Sequence, residues 1–503
     1  MLRPRTPLLA LALALFGAGA GAEPAQPAVA SPRQVILIIG DGMDDQQITI
    51  ARNYLHGANG RLLLDTLPLR ASAQVLTVED AVDGKPVYVA DSANTATSMA
   101  TGRVTSRGRV GTAPGSDAPL TTLTELAKAA GLRTGLVTTS SVTDATPAAF
   151  VASINFRLCE NPELMVDIHY RDIPLGDCSQ HLKARGGRGS IAEQLAESTL
   201  DVVLGGGRKH FRPPAEDGSA SVADLARSRG FRTIETAEER ARARPGERLL
   251  GLFADSTLPV RLQGQDAREA EEAEPSLLNR LHPYLGSVTL PAPMTCEPNP
   301  EAARVPSLRA MTDKALALLA SDNPRGFFLM VESASIDKQS HERKPCGSIG
   351  ELQQLDEALA SALAFAREHP RTLVLVTADH AQAAQLIPFE SLFAAYPIPT
   401  FPPGKLARIV TPEGSHMTVN YATTNFMMEE HTGAAVPLYS NAEGKGRVAA
   451  FVRQPELFQI MRDYLELPAA PASGPARSET ALQVDPAVQG AQTELGTLVG
   501  EDD

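Results

Sequence analysis

Several acids and histidines stand where they could hold metal ions. "SIDKQSH" places Asp337 and His341 four residues apart, so on a helical turn both project to one side and share an ion. "VTADHA" sets Asp379 beside His380, and the two converge on one ion only where the chain turns on leaving a strand. "EEHTG" supplies His431. Two histidine-containing sets with carboxylates suit Zn²⁺. Further oxygen donors follow apolar runs: Asp41 after "VILIIG", Asp144 and Thr146 after "LVTTSSVT", and Glu332 at the end of "FFLMVE". Taken singly, each acid reads as a helix N-cap; together with the histidines they read as a metal site.

The run "DSANTATSMATG" (91–102) raises a second possibility. Ser92 follows Asp91 and begins a helix of small residues. Free N–H groups and the positive end of the helix dipole favour an anion there, and small side chains let backbone approach closely. A serine oxygen on a metal becomes a nucleophile near neutral pH. On this segment alone, an N-cap serine in a buried Ala-rich helix is the better reading.

Positioning these groups requires elements that deliver them to one place. Short apolar runs at 34–40, 134–139, 201–207, 326–332 and 372–379 read as buried parallel strands. Helical patterns alternate with them, at 121–131 ending on Gly131 and at 349–366, where Leu352, Leu355, Leu359 and Leu363 share a face. Strand and helix in alternation predict an α/β fold: a large, mostly parallel central sheet flanked by helices on both faces. In such sheets ligands bind beyond the carboxyl ends of the strands, where the acids stand. Residues 208–300 and 383–425, rich in Pro, Gly or charge, read as an elaborated segment and an irregular insertion.

A hydrophobic fraction of 43% supports a sizeable core, and a net charge of −13 disfavours nucleic acid as a partner. At the N-terminus, Arg3 and Arg5 precede an apolar Leu8–Phe16 run and a small-residue Ala20-Gly21-Ala22 site. That pattern predicts a signal peptide over 1–22, with a short membrane anchor as the other reading. The mature chain then starts near Glu23, in the periplasm or outside the cell. The catalytic region is expected over 23–468, followed by an acidic Ala/Pro-rich tail over 469–503, loosely held. Export permits disulfides. Cys159, Cys178, Cys296 and Cys346 allow three pairings. Proximity favours Cys159–Cys178 and Cys296–Cys346, contributing roughly 3 and 4 kcal/mol by loop entropy.

The motifs "LIIGDGM", "DSANTATSMATG", "TDATPAAF", "LGGGRK", "VESASIDKQSH", "VTADHA" and "EEHTG" occur in an order that resembles the bacterial alkaline phosphatases, over roughly residues 34–468. The resemblance implies a phosphate monoesterase with an alkaline-phosphatase-like fold and a phosphoserine formed at Ser92. It implies one zinc at Asp337, His341 and His431, and a second at Asp41, Asp379 and His380 that also touches Ser92. It implies a magnesium at Asp41, Thr146 and Glu332, with Asp144 acting through water. Arg157 is implied as a bidentate phosphate clamp, Lys338 as a water-mediated phosphate contact, and the assembly as a homodimer that needs no membrane. Asp44 and Gln382 depart from the pattern, where glycine and histidine are usual. Related sulfatases need Pro and Arg two and four residues after the nucleophile, where Asn94 and Ala96 stand. Phosphodiesterase relatives typically use threonine as nucleophile and lack the third metal site. A non-catalytic zinc- or phosphate-binding protein is the remaining alternative, and the retained Ser92 opposes it.

Overall fold

Ten strands build one central sheet in this computed structural model, which describes residues 32–170, 173–388, 396, 398–399 and 401–470. The signal-peptide reading and all but the first two residues of the C-terminal tail lie outside the described residues. In chain order the strands are β1 (Arg33–Gly40), β2 (Leu69–Gln74), β3 (Arg133–Ser141), β4 (Val202–Gly206), β5 (Phe231–Ile234), β6 (Arg248–Leu252), β7 (Gly326–Ser333), β8 (Thr372–Ala378), β9 (Val436–Ser440) and β10 (Phe451–Arg453). Across the sheet they run β10-β2-β9-β8-β1-β7-β3-β4-β6-β5. Only β9 is antiparallel to its neighbours.

The central strands β7 and β8 are buried at every residue, so both faces of the sheet are covered, as parallel sheets require. The cover includes α1 (Asp45–His56), α2 (Ser92–Thr101), α3 (Leu123–Ala129), α4 (Ala145–Ala149), α5 (Leu308–Ala320), α6 (Ser335–His341), α7 (Pro345–Glu368) and α8 (Gln454–Tyr464). Leu352, Leu355 and Leu359 of α7 face the core and are at most 1% exposed. Helix α3 stops at Ala129, and the turn to β3 uses Gly131 at φ +78°.

Two segments are more regular than their composition suggests. Residues 208–300 contribute β5 and β6, which extend the main sheet at one edge. Within 383–425, Lys405–Val410 and His416–Tyr421 form an antiparallel hairpin, joined by Gln385–Ile387 and Glu271–Glu272 in a four-stranded sheet. Both disulfides are the sequence-local ones: Cys159–Cys178 and Cys296–Cys346, with Cα separations of 6.4 and 5.4 Å.

Candidate active site

Register decides which side chains meet. β1 pairs in parallel with β7 and β8, matching Ile39 to Glu332 and Gly40 to both Ser333 and Ala378. Asp41 and Asp379, the residues that follow β1 and β8, therefore leave the same sheet end as Glu332. The tight turn after β1 uses Gly42 at φ +68°, where a Cβ would lie 3.1 Å from the Asp337 backbone. Its N–H and that of His380 donate to Asp379 Oδ1 at 3.0 and 2.8 Å.

Ser92 is the first residue of α2, whose ten residues are all buried. Asp91 caps the helix by accepting from Asn94 N at 3.1 Å, while Asn94 Oδ1 accepts from Asp91 N at 2.9 Å. The small side chains of 91–102 thus allow a helix start to be buried among acids. Ser92 Oγ lies 3.2 Å from His380 Nε2 and 3.5 Å from Asp41 Oδ1.

Two metal-sized clusters result among the described residues: Asp41 with Asp379 and His380, and Asp337 with His341 and His431. Within each, the ligand atoms lie inside 4.8 Å of one another. In the second, one turn of α6 places Asp337 Oδ2 3.3 Å from His341 Nε2, and His431 Nε2 stands 3.4 Å from Asp337 Oδ1. Burial works against ionising Asp337, but His341 and His431 outweigh it and hold its carboxyl well below the usual range. Asp41 shifts the other way: burial, then Asp379, Asp337 and Glu332, push it well up. So many carboxylates facing one another need added positive charge, and a metal ion suits the need.

The oxygen-only set is also assembled on the sheet end. Asp144 caps α4, accepting from Ala145 N at 2.8 Å, and Thr146 lies in that helix. Thr146 Oγ1 is buried beside Glu332 without a hydrogen bond of normal geometry, a donor atom available to a hard ion. Glu332 Oε2 accepts from Thr138 and, at 3.2 Å, from Ser140, while burial pushes its carboxyl up to about 7.

Cations gather on Asp144. Lys338 Nζ donates to its Oδ2 at 2.5 Å and the Arg157 guanidinium to its Oδ1 at 3.1 Å. Burial opposes ionisation of Asp144, but these two cations hold it well below the usual carboxylate range. Arg157 also reaches Asp91 Oδ2 at 3.3 Å, so its planar fork spans the helix cap and Asp144. Ser92, Arg157, Lys338 and His341 all line one open cleft of about 770 Å³.

The two departures have distinct places. Asp44 caps α1 through Gln46 N and Gln47 N, both at 2.9 Å, and burial pushes it up to about 6. Gln382 Nε2 donates to Asp337 Oδ1 at 2.6 Å. Three further residues went unmarked in the sequence. Thr95 Oγ1 sits 3.4 Å from Asp379 Oδ2, Gln454 donates to the Asp379 carbonyl, and the Glu429 carbonyl holds His341 Nδ1 at 2.5 Å. Glu429 opens the "EEHTG" motif two residues before its histidine, the one local signal that pointed toward it.

Comparison with known proteins agrees with this geometry. Residues 32–398 match the family described as "Alkaline phosphatase". The chain is 40% identical over 440 residues to streptomycin-6-phosphate phosphatase of Streptomyces griseus, covering 85% of this chain and 89% of that one. It is 39% identical over 444 residues to alkaline phosphatase of Escherichia coli (strain K12), covering 86% of each. Among solved structures, Thermus thermophilus alkaline phosphatase superposes with a TM-score of 0.60 at 22% identity, over 92% of this chain and 97% of that one, a likeness of fold.

Proposed function

The chain belongs to the alkaline phosphatase family of metal-dependent phosphomonoesterases, and from that premise we propose that Ser92 is its nucleophile. The Ser92 oxygen attacks phosphorus, the bond from phosphorus to the alcohol oxygen breaks, and the alcohol leaves with a proton. Water then attacks the phosphoserine, releasing inorganic phosphate and restoring the hydroxyl. Arg157 turns its two donors onto the non-bridging oxygens, and Lys338, held by Asp144, reaches them through water.

We assign zinc to the clusters Asp337/His341/His431 and Asp41/Asp379/His380, and magnesium to Asp41, Thr146 and Glu332 with Asp144 behind them. When bound, these ions supply Lewis-acid charge that lowers the pKa of a hydroxyl and stabilises the leaving oxygen. His341, His380 and His431 serve by presenting Nε2, and Gln382 by fixing the Asp337 carboxylate. A leader over 1–22, a catalytic region over 23–468 and a tail over 469–503 complete the assignment. It is a periplasmic or secreted enzyme, a homodimer acting on small phosphate esters.

The observation that carries this reading is the placement of Ser92 Oγ, 3.2 Å from His380 Nε2 at the start of a buried helix. Purified protein tests it with p-nitrophenyl phosphate, its bis-ester and its sulfate, each with and without chelator. Rapid, chelator-sensitive hydrolysis of the monoester is expected. Preference for the bis-ester or sulfate would overturn it.

A further inference from the structure

Beyond Asp144 the cleft wall carries an acid that phosphate chemistry does not use. Glu160 lies three residues after Arg157 and bonds to Thr143, the neighbour of Asp144. It is thereby fixed relative to the phosphate clamp from both sides. Its Oε2 accepts from Thr143 Oγ1 at 2.5 Å and faces His210 Nε2 at 3.1 Å.

The imidazole is itself set. Asn161 Oδ1 accepts from Glu163 N and Leu164 N at 2.9 and 3.2 Å, which turns Nδ2 toward His210 Nδ1, 2.9 Å away. Nδ2 only donates, so His210 carries its proton on Nε2, the atom that stands 3.1 Å from Glu160 Oε2. Burial pushes His210 down to about 4, in keeping with a neutral ring. Glu160 Oε2 thus accepts from Thr143 with the His210 ring beside it, whereas Oε1 has no hydrogen-bond partner among the described residues, and the residue lines the cleft.

Asp144 on one side and Lys209 and Lys338 on the other act on Glu160, and the cleft holds further acids. Glu342 and Glu430 also line the cleft, and Glu430 forms no ion pair among the described residues. Apart from Arg157 and Lys338, both paired with Asp144, Arg107 is the one other lysine or arginine lining the cleft.

We propose that Glu160 is a specificity-determining residue, its free Oε1 receiving a donor group, best an ammonium, on the alcohol portion of the substrate. The ester class selected is phosphorylated amino alcohols and similar cationic alcohols. The Thr143 hydrogen bond and the His210 ring against Oε2 position the carboxylate before substrate arrives, so little ordering remains to be done on binding. A dianionic phosphate at Arg157 and a cation at Glu160 complement the charges of the cleft.

This inference rests on the phosphatase reading, and its test separates the two. Wild type and Glu160→Gln are assayed near pH 8.5, where an alkylamine is still charged, on 3-aminopropyl phosphate and butyl phosphate. The two esters match in length and differ in the terminal ammonium. The ratio of kcat/KM, amino over alkyl, is expected to fall about tenfold in Glu160→Gln, as for loss of one charge-assisted hydrogen bond. An unchanged ratio overturns the role of Glu160. The non-hydrolysable phosphonates give a reading on wild type alone. 3-Aminopropylphosphonate should inhibit at a Ki about tenfold below that of butylphosphonate, and equal values overturn the proposal even if the variant fails to fold. Failure of wild type to hydrolyse either ester strikes the phosphatase reading instead, and the phosphonate comparison still reports on Glu160.

Discussion

His341 and His431 point their Nε2 atoms at each other across 3.0 Å, while each Nδ1 faces a backbone carbonyl, of Glu429 at 2.5 Å and of Ala90 at 2.8 Å. A carbonyl only accepts, so each Nδ1 carries the proton of a neutral ring. Both Nε2 atoms then present lone pairs to one another and to Asp337. Such an arrangement is repulsive until a proton or a metal ion lies between them, and metal-binding histidines are oriented in this way.

Removing the metal exposes that repulsion, and its pH dependence has a definite sign. In the metal-free protein, burial opposes charging His341 and His431, but Asp337 outweighs it and raises both above 6.5. Groups raised on folding stabilise the fold below their unfolded pKa and lose that contribution as pH rises through the folded value. Asp41 and Glu332 are also raised, Glu332 to about 7, and act with the same sign. Asp337 and Asp144 are lowered, so their contribution is complete above the ordinary carboxylate range, near pH 4. His380 and His210 are lowered by burial and oppose this slope up to their ordinary value near 6.5, so between about pH 7 and pH 8 the raised groups decide. Calorimetry of chelator-treated protein should show the melting midpoint falling over that interval, while the gap to untreated protein widens. A chelated midpoint that climbs with pH contradicts the assignment.

Ser92→Ala should fold normally, because alanine suits a buried helix of small residues. Monoester turnover should fall by on the order of 10³-fold or more. Labelled phosphate should no longer attach to the protein; covalent label on the variant would place the nucleophile elsewhere.

Arg157→Ala should weaken inhibition by inorganic phosphate ten- to a hundredfold, about 1.5–3 kcal/mol for hydrogen bonds to a charged group. Arg157 touches Asp91 and Asp144 but neither histidine-bearing cluster, so metal content should hold. Zinc loss in step with phosphate affinity would make it a structural residue.

Reduction should separate stability from chemistry. Cys159 stands two residues from Arg157 and closes on Cys178, while Cys346 lies near the start of α7 and closes on Cys296. Reductant should lower the melting midpoint, each bridge contributing roughly 3–4 kcal/mol. The Cys159→Ala/Cys178→Ala pair should raise KM more than Cys296→Ala/Cys346→Ala, since it frees the Arg157 loop. Equal effects on KM would detach Arg157 from that bridge.

Legibility followed the range of the interactions. The i,i+4 spacing of Asp337 and His341 is local, and so are the acids that end apolar runs; strand register then gathers them. Backbone partners left no mark in composition, so the carbonyls of Ala90 and Glu429 that orient the two histidines were invisible. Glu160 and His210 are 50 positions apart and meet only through folding. The Lys405–Val410 hairpin was masked by the Pro-rich stretch before it, although its second strand, HMTVNY, alternates polar and apolar residues.

The third ion should be magnesium, with Asp144 controlling the choice. Asp41, Thr146 and Glu332 offer oxygen alone, and a hard ion that keeps water prefers such a shell. Asp144 is committed to Lys338, Arg157 and the α4 cap, so it is placed to hold a coordinated water rather than to bind directly. Asp144→His removes both ion pairs and adds an imidazole nitrogen, which favours zinc. It also releases Lys338 and Arg157 toward phosphate, so product inhibition should tighten as the metal preference changes. Crystals grown with magnesium and without excess zinc should show anomalous zinc signal at the two histidine-bearing clusters only. In Asp144→His a third zinc peak should appear beside Glu332. A strong zinc peak there in the wild type would show that the oxygen shell does not select the ion.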